Sequence, residues 1–235
     1  MKEHINRISL GIRHRRSFRM AEIAGTIMDN IVYDKSSPFE SGFFQATDIL
    51  LDNFENKGRI LIGKDQKSSV VVDIDNVVLN IASDDFDSTV TKIKSEIIPF
   101  FKKIFKDFKI ENTNRVGMVF EFKFPNTEQV NEMVNAITKS TFTKAEYFDL
   151  RFSQKDTDQL SSIKKELLDY ANSIILMSKV KDDIVIKFDY QFYYSPEINN
   201  INDVDFDKFI ETATGALEKK LFKWFEKTDE KQGKS

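Results

Sequence analysis

Arg13, His14, Arg15, Arg16 and Arg19 crowd one short stretch near the start of the chain. They follow an alternating segment and straddle the expected start of the first helix. The partial positive charge of a helix N-terminus disfavours cations there by a few tenths of a kcal/mol and welcomes a phosphate or carboxylate. Arginine meets phosphate bidentately, so Arg13, Arg15, Arg16 and Arg19 form the candidate anion or nucleic-acid site. The alternative is a solvated face whose arginines pair with acidic residues elsewhere. The first twenty residues hold six basic and one acidic side chain, which leaves −8 on the remainder of a chain of net charge −3. Repulsion from that remainder works against nonspecific polyanion binding and favours the ion-pair alternative.

Glu121-Phe122-Lys123 has the E-x-K arrangement of metal-dependent nucleases, in which the Glu and an upstream Asp hold Mg²⁺ and the Lys stabilises developing charge. Asp107 lies fourteen residues upstream, with Asp85 and Asp87 further back, but Asp107 falls at an expected helix end rather than on a neighbouring strand. A strand with one polar face produces the same pattern, which makes an exposed cross-strand charge pair the favoured reading. Asp73, Asp75, Asp84 and Asp85 are read as turn and cap residues, since no glycine-centred calcium loop accompanies them. His4 and His14 have no partner acid at motif spacing. Neither G-x-G-x-x-G nor G-x-x-x-x-G-K occurs, and the absence of cysteine excludes disulfides, thiolate metal sites and a cysteine nucleophile. No catalytic residue, metal site or cofactor is assigned.

The elements that position these residues follow from periodicity. Ile8, Leu10 and Ile12 alternate with polar neighbours as in a half-buried strand, and Ser17 stands where it would cap a helix carrying Met20, Ile23, Ala24, Ile27 and Ile31. Segments 59–63, 70–74 and 77–81 read as a small meander with Asp75-Asn76 at a hairpin turn. Phe86, Val90, Ile93, Ile97, Phe101, Ile104 and Phe105 form a helical stripe capped by Asp84 or Asp85, and Pro99 predicts a kink or break near Ser95 to Ile98. Met118, Phe120, Phe122 and Phe124 alternate in a strand, followed by a helix from Asn126 bearing Val130, Met133, Val134 and Ile137. A further strand is expected over 147–152, then a helix with Leu160, Ile163, Leu167, Ala171 and Ile174. Ile184, Ile186, Phe188, Tyr190 and Phe192 mark a strand ending at Pro196, and a last helix starts near Asp203. The charged tail from Glu226 is expected to fray.

The expectation is therefore one α+β domain over 1–235, an antiparallel or mixed sheet covered by long amphipathic helices. Residues 77–140 and 147–226 share an order that suggests two repeated strand-helix-strand-helix units. The aromatic strands offer either a stacking platform for bases or, as favoured here, a buried sheet face. Tyr193 and Tyr194 fit a groove, and Phe222 and Phe225 beside the main stripe of the last helix point to a partner or second protomer.

The helix over Phe86 to Phe108 followed by Arg115-Val116-Gly117-Met118 resembles a sporadically distributed prokaryotic family of uncharacterised proteins. Its members read long helix, then an R-[IV]-G-L-R-Y strand, then an aspartate-bearing strand and C-terminal helix, here matched by Ile184 to Tyr190 and Asp205 to Phe225. Val119 and Phe120 depart from the pattern's second Arg and its Tyr. The resemblance implies the architecture and carries no activity.

No apolar run of signal-peptide length occurs in Met1 to Arg19, and no segment approaches the roughly 18 uncharged residues of a membrane span. A cytoplasmic protein without membrane contact is expected. The functional expectation is a non-enzymatic binding or assembly component with a protein partner or a second copy. The alternatives are a nucleic-acid-binding accessory protein using the arginine cluster and, third, a metal-dependent nuclease.

Overall fold

Apolar residues recurring at every second position mark the central strands of one antiparallel sheet, which has nine strands among the described residues, because alternate side chains of a strand share a face. The computed structural model describes residues 1–52, 57–125, 147–156, 168–180 and 183–223. In chain order the strands are β1 (Ile5–His14), β2 (Phe44–Asp52), β3 (Lys57–Gly63), β4 (Ser69–Asp73), β5 (Asn76–Ala82), β6 (Thr113–Pro125), β7 (Tyr147–Asp156), β8 (Leu168–Val180) and β9 (Asp183–Ile198). Their order across the sheet is β2-β3-β4-β5-β1-β6-β9-β8-β7, and every neighbouring pair is antiparallel. The helices are α1 (Phe18–Tyr33), α2 (Phe86–Lys92), α3 (Ile98–Asp107) and α4 (Phe206–Leu217). The fold is α+β.

One phase of each central strand is sealed. Ile8, Leu10 and Ile12 of β1, Val116, Met118, Phe120 and Phe122 of β6, and Ile184, Ile186, Phe188, Tyr190 and Phe192 of β9 join a single core with Ala24 and Ile27 of α1, Phe101 and Phe105 of α3, and Phe209 and Leu217 of α4. Phe120 meets Phe86 tilted at 5.5 Å and Phe192 meets Phe209 edge to face at 5.0 Å between centroids. Each fully buried side chain of this size contributes roughly 1.5–3 kcal/mol. The aromatic strands thus spend Phe120, Phe122, Phe124, Phe188, Tyr190 and Phe192 on the core, and none of them is available as a stacking platform.

Local expectations are met in modified form. Asp85 caps α2, accepting from the Ser88 N–H at 3.0 Å, and Asp205 caps α4, accepting from Lys208 N–H at 2.9 Å. Ser17 occupies the cap position of α1, but its side chain makes no capping bond. Where Pro99 predicts a kink or break, the α-helix is interrupted: Ile93–Ile97 form a π turn between α2 and α3, whose wider loop makes room for the proline ring against the preceding turn. The strand ending expected at Pro196 instead runs on to Ile198.

One expectation is overturned. Ala171 and Ile174, assigned by spacing to a helix, lie on β8. Ala171, Ser173, Ile175 and Met177 stand opposite Phe192, Tyr190, Phe188 and Ile186 of β9, and pairing with that long strand outweighs a local helical period. The helix expected from Asn126, residues 157–167 and the tail beyond 223 lie outside the described residues.

Candidate functional site

Among the described residues, no helix packs on the second face of the sheet. Its central part can be read as rows running across the strands, because directly opposed residues share a face. The first row is Arg13, Arg115, Tyr193 and Tyr170; the second is Val78, Gly11, Gly117 and Gln191; the third is Asn80, Ser9, Val119 and Asp189; the fourth holds Arg7, Glu121 and Lys187.

The first row begins with two like charges directly opposed, Arg13 and Arg115, an arrangement that destabilises a strand pair unless something negative lies nearby. Arg13 pairs with Asp75 at 2.9 Å. Arg115 forms no ion pair among the described residues; its guanidinium lies 5.8 Å from the Tyr193 ring centroid and donates to the Tyr193 hydroxyl at 3.5 Å. Tyr193 and Tyr170 stack at 4.4 Å and 11°, and Lys155 Nζ sits 4.0 Å from the Tyr170 ring. From Tyr193 a relay runs along β9: its hydroxyl donates to Gln191 Oε1 at 2.6 Å, and Gln191 Nε2 donates to Asp189 Oδ2 at 2.6 Å. Burial pushes the Asp189 carboxyl above its ordinary value, against the Gln191 bond and the nearby Arg115 and Arg151 charges.

The second row is bare where the two central strands meet. A β-carbon at Gly11 would find only Val78 Cγ2 at 3.8 Å, and one at Gly117 would meet Gln191 Cγ at 3.5 Å and Asp189 Oδ1 at 3.9 Å. Neither glycine has a positive φ. Nothing within the described chain requires glycine there, and each costs roughly 0.5–1 kcal/mol against alanine in a strand interior. Together they leave a shallow depression one side chain deep below the arginine pair.

The remaining cluster arginines follow the end of β1. The segment 14–17 is pinned by backbone bonds from His14 N to Asp75 O (2.9 Å), Arg15 N to Asn112 O (2.9 Å) and Ser17 N to Ile74 O (2.8 Å). Arg15 Nε lies 3.4 Å from Glu197. Arg16 stands over the Phe18 ring at 5.8 Å, and Phe18 is 68% exposed. Arg16 and Arg19 are exposed and make no ion pair among the described residues. The fold therefore carries Arg13 onto the face on which no described helix packs, leaves Arg15, Arg16 and Arg19 beyond the end of β1, and supplies carboxylate partners to Arg13 and Arg15.

His14 points the other way, into the core, where Phe105 meets it edge-on at 6.5 Å. Its Nδ1–H donates to the Arg15 carbonyl at 2.9 Å, while Nε2 and the hydroxyl of its cross-strand neighbour Thr113 have no hydrogen-bond partner among the described residues. Burial holds the imidazole pKa below its ordinary value, outweighing the Arg15 carbonyl, Asp73 and Asp75. The unfolded chain then binds the proton first, so the stability that His14 permits is complete above about pH 6.5 and falls as pH drops towards the folded value. Urea midpoints measured at neutral and mildly acidic pH should show this loss, and His14→Phe should flatten it; an identical pH dependence in the variant would remove His14 as its cause.

Glu121 and Lys123 share a face but not a site. Glu121 accepts from Asn6 Nδ2 at 2.6 Å and Arg7 at 2.8 Å and lies 3.1 Å from Lys187; Lys123 pairs with Asp183 at 2.9 Å. Burial would raise the Glu121 carboxyl, but Lys187, Arg7 and Asn6 together hold it below its ordinary value. Asp107 ends α3. Asp73 accepts from the N–H groups of Asp75 and Asn76 at 2.9 and 2.7 Å, as a turn residue does. Among the described residues no three His, Asp or Glu side chains converge as a metal site requires, and no helix is long and apolar enough to cross a membrane. Tyr194 is half-buried, and desolvation with Asp205 nearby pushes its hydroxyl up; Tyr193 alone of the pair faces outward with the relay.

Arg115, Gly11, Gly117 and Tyr170 were not legible as site residues. The available signal was that each falls in the polar phase of an alternating strand, but only strand register assembles them. No family model matches the chain, and no curated protein matches it.

Proposed function

We propose that this chain is a non-enzymatic binding or assembly component whose contact surface is the face of its sheet that no helix covers among the described residues. The observation that carries this reading is the unforced pair of glycines at the centre of that face, beneath two opposed arginines. A protein that used the sheet only as a scaffold would gain stability from side chains at Gly11 and Gly117. Strand-interior glycine often marks close approach by a ligand or another backbone.

The sheet order also supports an internal repeat, with amphipathic helices over one face of each unit. The units would begin at β1 and β6, rather than at residues 77 and 147. Each central strand opens with a similar run, Asn6-Arg7-Ile8 and Asn114-Arg115-Val116. In each, a meander returns to pair with that strand, β5 with β1 and β9 with β6, and a helix follows. The pairs Arg7–Glu121 and Arg13–Arg115 are related by this repeat, so the uncovered face sits across the junction of the two units. A second reading, nucleic-acid binding through Arg13, Arg15, Arg16 and Arg19, draws on the exposure of Arg16, Arg19 and Phe18.

The absence of cysteine makes a single introduced thiol a unique probe. Val119→Cys on the uncovered face should react readily with a maleimide in the purified chain and slowly in a native extract of its own cell. Thr91→Cys, on the exposed side of α2, should react alike in both. Equal labelling of position 119 in the two settings would overturn the reading.

A further inference from the structure

We infer that the occupant of the uncovered face is a single-stranded nucleic acid, docked with a base over Gly11 and Gly117 and its phosphate against Arg13 and Arg115. This rests on the reading of that face as the contact surface and names the partner's chemistry. The warrant is charge complementarity joined to shape. The chain is acidic overall, at −3. Yet the upper part of this face gathers Arg13, Arg115 and Lys155. Among the described residues, only Arg13 of these has a carboxylate partner within ion-pair distance. Asp75 answers Arg13, while Arg115 forms no ion pair among the described residues and offers its guanidinium to a phosphate.

The floor selects among polyanions. It is two strands wide, carries no side chain, and lies two residues, about 7 Å, down the strands from the arginines. A flat ring attached to a phosphate matches a bare floor beside a cationic ledge, whereas an acidic peptide would leave the floor empty. Asp189 Oδ1 borders the floor at Gly117 and can accept from a base amino group, as carboxylates do on base edges. A base must be unpaired to lie flat on a sheet, so duplex is disfavoured.

The full chain should be titrated by fluorescence anisotropy against labelled RNA and DNA single strands of about 15 nucleotides, the matching duplex, and a labelled mononucleotide, at about 50 and about 200 mM salt. Single strands should bind more tightly than duplex, with affinity falling as salt rises. Arg115→Ala should weaken binding about tenfold and reduce the log–log salt slope by about 0.7. Gly11→Val, which fills the floor where a β-carbon meets only Val78, should weaken binding at least as much with no loss of melting temperature. RNA against DNA identifies the source of the strand. No single-strand binding at low salt, tighter duplex binding, binding of the mononucleotide alone, or unchanged affinity in Gly11→Val would each overturn the inference. If single strands fail to bind while the thiol of the Val119→Cys variant stays shielded in extract, the nucleic-acid assignment falls and the contact face stands. Nuclease treatment of the extract should expose that thiol if both hold.

Discussion

Gly58→Ala is expected to destabilise the protein by about 3 kcal/mol, at the top of the range for overpacking, lowering the melting temperature by roughly 6–12 °C. The reason is crowding. A β-carbon on Gly58 would lie 2.0 Å from the Val72 carbonyl oxygen, 2.6 Å from Asp73 Cα and 2.9 Å from Val72 C. All three are backbone atoms of β4, so no rotamer relieves the overlap; β3 must part from β4 or β4 must bend. Bending would disturb the turn in which Asp73 accepts from Asp75 and Asn76, and with it the Asp75 carboxylate that pairs with Arg13. Gly11→Ala supplies the contrast, since its methyl meets only Val78 at 3.8 Å. It should be neutral or stabilise by roughly 0.5–1 kcal/mol. Thermal melts of the two variants beside the parent decide the matter, and equal melting temperatures for Gly58→Ala and the parent would refute the packing account.

These two glycines show which features the sequence could and could not reveal. Alternation was enough to find β1, β4, β5, β6 and β9, because each buries one phase and leaves the other half-exposed, and the apolar phase is visible without knowing the partner. β8 hides its pattern: Ala171, Ser173 and Met177 face the core while Ile174 and Leu176 lie on the opposite face, so apolar residues occupy both phases and mimic a helical stripe. Its identity depends on β9, which follows it in the chain, and no local rule contains that pairing. β2 was missed for a related reason, as its run from Phe44 to Asp52 has no sustained alternation. At the site, charge density alone exposed Arg13, Arg15, Arg16 and Arg19. Arg115 sits about a hundred residues downstream of Arg13 and becomes its neighbour only through the β1–β6 register; that register also converts Gly11 and Gly117 from two ordinary residues into one floor. A one-residue slip of β6 against β1 would have put the two glycines on opposite faces of the sheet. The E-x-K spacing, conversely, was legible and misleading: side chains two apart on a strand share a face, but Glu121 and Lys123 are drawn to different ion pairs by the strands beside them.

Phe120→Ala is expected to cost about 4 kcal/mol, within the range for removing a buried phenylalanine and a large fraction of the roughly 5–15 kcal/mol that holds a typical domain together. Phe120 has no solvent exposure. It lies on the central strand β6 opposite Ile8 of β1 and Phe188 of β9, with Phe86 of α2 stacked obliquely above it. Three elements would therefore face the cavity, and the paired strands beneath it cannot collapse inward without breaking ladder hydrogen bonds. The denaturation midpoint should fall with an unchanged denaturant slope, because the surface exposed on unfolding scarcely alters. Phe120→Leu should recover most of the loss, since a smaller cavity remains. The same variants separate the two roles once open to the aromatic strands. A base-stacking residue truncated to alanine loses affinity while the fold keeps its melting temperature; a core residue does the reverse. Oligonucleotide affinity in Phe120→Ala, measured well below its midpoint of unfolding, should match the parent, because the ring lies on the opposite face of the sheet from Gly11, Gly117 and Arg115. Weakened binding at unaltered stability would place Phe120 on the working surface and dismantle the assignment of covered and uncovered faces.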